Sequence, residues 1–193
     1  MSQKLEDIKK YLRELNEAYD GNHLFYRDNT DRAHNAAIML VMLQKSHDIK
    51  MYCGEMSVFR NGFYDHIKRD DEATADYLRA EMTSALSSYL REGKNLNMIL
   101  ENQPTCLKDT IIPKAEIESA RTQGHFQLMV LPDGLKSKKE IGHFAYGDTQ
   151  RIFRLETNKE NHEATCRIGT EPISSSAYHM FATLEKIAEP IEM

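Results

Sequence analysis

The sequence predicts an α/β fold: a mixed, largely parallel sheet of five to six strands flanked by helices, with an N-terminal helical pair. Three observations carry it. Apolar residues recur at helical spacing from Leu5 to Tyr19. A strand–helix–strand run covers residues 49–101, the arrangement of a parallel βαβ unit. Short strand signals then crowd residues 125–168, two of them joined by a Gly147-Asp148 turn at hairpin spacing.

Residues 2–19 read as an amphipathic helix, since Leu5, Ile8, Leu12, Leu15 and Tyr19 are spaced 3, 4, 3 and 4 along one stripe. Ser2, with Glu6 and Asp7 behind it, is a fitting start. The stripe meets either the body or a partner helix. Two heptads are short for a free-standing coiled coil, so packing on the body is the expectation. Residues 20–30, DGNHLFYRDNT, read as a loop broken by Gly21, Asn22 and Asn29, with His23, Tyr26 and Arg27 as polar and aromatic neighbours. Thr30 or Asp31 caps a second helix over residues 31–46. A boundary is expected near residue 47, dividing a helical extension (1–47) from an α/β domain (48–193).

Residues 49–54 alternate in hydrophobicity and form a strand. Glu55 follows at its carboxyl end, where open α/β sheets place their sites. The charged stretch RNGFYDHIKRDD, 60–71, is expected to be an exposed loop. Residues 72–92 keep Leu78, Met82, Leu86 and Tyr89 on one helical face, with Gly93 beyond as a C-cap. A strand at 95–101, a short helix at 115–122 and a strand at 125–131 follow, the last closed by Pro132-Asp133-Gly134. Residues 135–140 are a solvated charge run. Strands are expected at 141–146, 150–156 and 163–168, before a terminal helix that reaches residue 188 with Tyr178, Phe181, Leu184 and Ile187 inward.

Composition narrows the function classes. The net charge of -5 argues against a generic nucleic-acid binder, which carries a basic excess, and leaves only a local basic patch open. The longest apolar run, Ala36 to Leu43, has eight residues; a membrane helix needs about 20. The three cysteines, Cys53, Cys106 and Cys166, include no CxxC pair. With no targeting leader read at the start of the chain, a reducing cytoplasmic location is expected. The thiols read as buried rather than nucleophilic, because no base lies beside them in sequence. There is no GxGxxG, P-loop, HExxH or GxSxG, which removes the nucleotide and hydrolase families those motifs mark. No metal or cofactor is expected.

The chemically capable residues gather between Gly142 and Gly169. His143 precedes the Gly147-Asp148 turn. Arg154 and Glu156, two apart on a strand, share a face. Around one pocket, His143, Asp148, Arg154 and Glu156 would supply a nucleophile or base, an orienter and an anion binder. The plainer reading makes His143 a hydrogen-bond donor, Asp148 a turn residue, and Arg154 with Glu156 a surface ion pair contributing about 0–1 kcal/mol. His162-Glu163 reads as loop.

The order of elements from residue 48 to 189, with a His-led strand, an Asp turn, the R-x-E strand and the A-T-C-R-I-G strand before a helix, resembles one lobe of the phospholipase D-like fold. In that family a strand carries H-x-K-x4-D: the His is the nucleophile, the Lys binds phosphate and the Asp orients the His. His143 matches the His. Ala145 stands at the Lys position, and Asp148 follows after five residues rather than seven. Losing the Lys removes a charge that the transition state needs. The resemblance therefore implies a degenerate lobe serving as a binding or assembly module, with a protein partner or its own copy, of the kind that accompanies nucleases or ATPases in bacterial defence-type systems. Two other readings stand beside it. One is a phosphodiesterase or nuclease using His143 with Asp148. The other is a nucleotide or small-molecule sensor with Glu55, Arg154 and Glu156 at its pocket.

Overall fold

The computed structural model describes residues 2–54, 56–102, 109–111, 114–133, 142–148, 151–158, 163–169 and 175–191. Within them the chain runs α1 (Gln3–Asp20), β1 (Phe25–Asn29), α2 (Arg32–Lys45), β2 (Asp48–Cys53), a 3-10 turn (Ser57–Phe59), α3 (Asn61–Asp70), α4 (Glu72–Arg91), β3 (Asn95–Leu100), α5 (Lys114–Thr122), β4 (Phe126–Val130), β5 (Phe144–Gly147), β6 (Ile152–Asn158), β7 (Glu163–Ile168), α6 (Ser175–Glu185) and β8 (Glu189–Pro190). The long helices start on side-chain caps. The Ser2 hydroxyl accepts from the Leu5 N–H at 3.1 Å, the Asp31 carboxylate from His34 at 2.9 Å and the Asp71 carboxylate from Thr74 at 3.1 Å. Each satisfies a donor that the first helical turn leaves orphaned.

The strands form one sheet in the order β1-β7-β6-β5-β2-β3-β4-β8. It is mixed, as expected, but larger and mostly antiparallel. Only β2 with β3 and β3 with β4 run parallel. These are the pairs joined through helices, which a parallel crossover requires. β5, β6 and β7 follow one another through short connections and pair antiparallel, and β2 meets β5 antiparallel at the join. Two short edge strands, β1 and β8, complete the sheet. Two further expectations are corrected. The loop at 20–30 contains β1, and the charged loop at 60–71 folds as α3 because Tyr64 and Ile67 bury one face of it.

The two faces of the sheet are covered unequally. Helices α1 to α5 pack on one face, where Ile8, Leu15, Leu40, Leu78 and Leu86 join Met51, Met98 and Leu128 in one core. On the other, α6 lays Phe181 and Leu184 over Tyr52, Ile99, Phe144 and Tyr146. Residues of α1, β1 and α2 pack against the rest of the described chain. The stripe from Leu5 to Leu15 is buried in the common core, α1 packs on α2, and β1 pairs with β7 along its length. Register then fixes what lies together. Tyr52 stands opposite Phe144, which stands opposite Leu155. The carboxyl ends of β2 and β6 and the start of β5 therefore meet on one rim of the sheet.

Candidate functional site

That rim holds His143. The His143 carbonyl accepts from the Glu156 N–H at 2.7 Å, which pins the residue to β6 just ahead of the β5 ladder. Glu101 follows β3, and its own N–H donates to the Cys53 carbonyl at 2.8 Å, holding it against the end of β2. Two glycines make the approach possible. A Cβ on Gly142 would overlap the carbonyl oxygen of Glu156, and one on Gly54 would lie 3.2 Å from His143 Cε1.

The imidazole sits between two carboxylates. Its Nε2 lies 3.0 Å from Glu101 Oε2 and its Nδ1 lies 2.5 Å from Glu156 Oε2. The three side chains retain only 17, 14 and 7% of their exposure. Arg154 closes the array, with Nη2 3.8 Å from Glu156 Oε1 and Nε donating to Asn35 Oδ1 of α2 at 3.2 Å. At the far end the Tyr52 hydroxyl donates to Glu101 Oε1 at 3.3 Å, and its ring meets the His143 ring edge-on at 5.6 Å between centroids. The result is a polar chain from Asn35 through Arg154, Glu156, His143 and Glu101 to Tyr52, bridging α2 and four strands or strand ends. The Nε2 approach to Glu101 has hydrogen-bond geometry, whereas the Nδ1 approach to Glu156 is a close ionic contact in which Oε2 makes no hydrogen bond.

Next to this chain is a cleft with about 50 Å³ of water-accessible space, lined by Asn35, Met39, Cys53, His143, Arg154 and Glu156 among others. A water needs about 10–15 Å³ of such space, so the cleft has room for a few waters. Pockets that enclose drug-sized ligands run to roughly 300–1,000 Å³. The Cys53 thiol is pushed up to about 12, first by burial; the Met56 backbone hydrogen bond and the Arg154 charge oppose the rise, and Glu156 and Glu101 add to it. Burial likewise drives Cys166 up to about 12, against the pull of Arg154. Burial thus favours the protonated thiol over the thiolate at both positions.

The structure thus brings together His143, Arg154 and Glu156 and leaves Asp148 elsewhere. The Asp148 carboxylate accepts from the N–H groups of His47 and Asp48, at 2.8 and 2.9 Å, at the opposite end of β2. It closes the turn and cannot orient His143. Arg154 and Glu156 are not a surface pair either, with 15 and 7% of their side-chain surface exposed. Glu55 and His162 lie outside the described residues. Sequence reading missed Glu101, Tyr52 and Asn35. Glu101 carried one usable signal, its place at the carboxyl end of a strand. No group of three metal-ligating side chains is found among the described residues.

No family model matches the chain, and no curated protein matches it either. Solved structures do. Nuc from Salmonella typhimurium, a phospholipase D family member, superposes with a TM-score of 0.53 at 9% identity, covering 88% of this chain and 98% of Nuc. The chain has a phospholipase D-like fold. Polyphosphate kinase from Porphyromonas gingivalis matches at the same TM-score of 0.53 and 15% identity, over 94% of this chain and 26% of the kinase. TrmBL2, an archaeal chromatin protein described with a novel mode of DNA binding, matches at 0.53 and 14%, over 98% of this chain and 64% of TrmBL2. The chain therefore spans under two thirds of TrmBL2 and about a quarter of the kinase, but nearly all of Nuc. His143 is the residue that the sequence pairs with the His of the phospholipase D family's motif. Ala145, two residues on, is 2% exposed and lacks the cation. Its direct cross-strand neighbour is Arg154.

Proposed function

We propose that this chain is a non-catalytic binding and assembly module, in which the histidine of a phospholipase D-like fold has become a structural clamp. One observation carries the reading: both nitrogens of His143 are engaged by carboxylates, Glu101 at 3.0 Å and Glu156 at 2.5 Å. A nucleophilic histidine needs one nitrogen held and the other free to attack. Electrostatics points the same way. Two carboxylates flank the ring, the motif's Lys is Ala145, and the nearby guanidinium of Arg154 is already tied to Glu156 and Asn35. A phosphodiester arriving there meets negative charge where its transition state needs positive charge.

A second reading has one observation in its favour. Arg154 stands directly across from Ala145 and lines the His143 cleft, so a guanidinium could replace the missing Lys in a phosphodiesterase if Glu156 released it. Turnover separates the two. The wild-type chain and His143→Ala are assayed against single- and double-stranded DNA, RNA and a generic aryl phosphodiester. The clamp reading expects no wild-type activity above that of the variant. Wild-type turnover that disappears in His143→Ala establishes the phosphodiesterase instead.

A further inference from the structure

The cleft beside the clamp is lined by sulfur as well as by charge. Met51 and Cys53 are two apart on β2 and so share a face of the sheet. Met39 reaches the same cleft from α2, one helical turn after Asn35. All three are deeply buried, with 3, 4 and 8% exposure for Met39, Met51 and Cys53. Buried methionines ordinarily fill a core. These two instead border about 50 Å³ of water-accessible space beside a thiol. The space is a cleft rather than a sealed void, so an ion has a way in. The backbone after β2 is shaped around the same sulfur. Met56 stands at φ 60, a region rarely taken by a residue with a side chain, and its N–H donates to Cys53. Backbone outliers of this kind cluster at ligand sites, where the surrounding packing holds them. Met56 itself is 2% exposed in the common core.

We propose that this cleft binds a single Cu(I) ion, held by the Cys53 thiolate and the thioethers of Met39 and Met51. Softness and charge select the ion. Thiolate and thioether donors favour soft Cu(I), whereas zinc takes several thiolates or imidazoles, and calcium and magnesium take oxygen. No three His, Cys, Asp or Glu side chains converge among the described residues to hold such an ion. His143 is no ligand either, since each ring nitrogen faces a carboxylate. One thiolate and one monovalent ion sum to zero, and thioethers add no charge. The filled donor set therefore buries no net charge, while a divalent ion would leave an uncompensated one. On binding, the thiol proton leaves to solvent as the Cu–S bond forms, and copper stays monovalent throughout. The Arg154 charge favours the Cys53 thiolate and so assists that loss. The site goes beyond the assembly reading, and its donors are not those of the clamp.

Anaerobic competition against a chromophoric Cu(I) chelator tests this on the full chain. The wild type is expected to withdraw a single Cu(I) per chain, and Cys106→Ser to withdraw the same. Cys53→Ser is expected to withdraw none. Met39→Leu/Met51→Leu keeps the thiol and nearly keeps the volume. It is expected to bind at least about 10–100-fold more weakly, the loss that even an outer-shell partner brings. Circular-dichroism melts of the ion-free variants establish that each is folded. Copper K-edge absorption of the loaded wild type needs no variant, and its first shell is expected to hold sulfur alone, from Cys53, Met39 and Met51. A wild type that withdraws no copper, copper lost in Cys106→Ser, unchanged affinity in the double leucine variant, or nitrogen or oxygen in the first shell would each overturn the proposal. Failure to bind copper leaves the clamp untouched, and turnover in the phosphodiester assay leaves the copper site untouched.

Discussion

In the proposed clamp, keeping the histidine is not enough for chemistry, because its Nε2 faces Glu101 and its Nδ1 faces Glu156. The geometry depends on two residues with no side chain. Gly142 lies against the Glu156 carbonyl, where a Cβ would overlap backbone that has nowhere to move, whereas at Gly54 it would only crowd the rim of the His143 ring. Gly142→Ala is therefore expected to cost about 1–3 kcal/mol, the range of an overpacked interior, and Gly54→Ala less. Urea unfolding of the two variants measures the difference, and equal losses would contradict the assigned contacts. Much of this site could be read in the sequence. His143, Arg154 and Glu156 lie within fourteen residues on adjoining strands, and their faces follow from period two. Glu101 could not be read, since it arrives from β3 through a long crossover and no local pattern ties it to His143. Asp148 misled for the opposite reason. It is near His143 along the chain, but a strand's length carries it to the far end of the sheet.

At the scale of elements, the same logic separates what was visible from what was not. Helices α1, α2 and α4 declare themselves through long apolar patterns, and α1 and α2 also through Ser2 and Asp31 at their starts; the Asp71 cap of α4 was not read. The residues of α3 give a weak signal because two of its ten are buried, Tyr64 and Ile67. β1 has a single buried residue, Asn29, and shows no alternation to detect. Asp31 offers the clearest test of a cap. Burial alone would raise its carboxyl, but the side-chain and backbone hydrogen bonds of His34, the His34 charge and Lys4 outweigh it and lower the group from 3.8 to about 2. Its folded value is depressed, so its contribution is present above the unfolded value and is lost as pH falls from about 4 to about 2. Asp31→Ala is expected to cost roughly 0.5–2 kcal/mol at neutral pH. The gap to wild type should shrink through that acid window. A gap that stays constant with pH would assign the loss to packing rather than to the cap.

For the whole molecule, direction within the sheet was the hardest feature to read. The helix between two strands makes β2 and β3 parallel, and that much was visible. Nothing local states that β5 lies antiparallel against β2, or that β1, nearly 140 residues upstream, closes the sheet beside β7. That arrangement places the carboxyl ends of β2, β3 and β6 on one rim, where the clamp ties them to α2 through Arg154 and Asn35. The clamp's worth to the fold is then the central claim, and equilibrium urea unfolding of His143→Ala measures it. Removing one partner from a buried ionic array leaves the others uncompensated, at about 3–5 kcal/mol when fully buried. With 7–17% exposure remaining, a loss of roughly 2–4 kcal/mol is expected here. A catalytic histidine behaves otherwise, because active sites are held at some expense of stability and emptying them is neutral or stabilising. A His143→Ala chain that unfolds roughly 2–4 kcal/mol more easily supports the clamp; one as stable as the wild type, or more so, contradicts it.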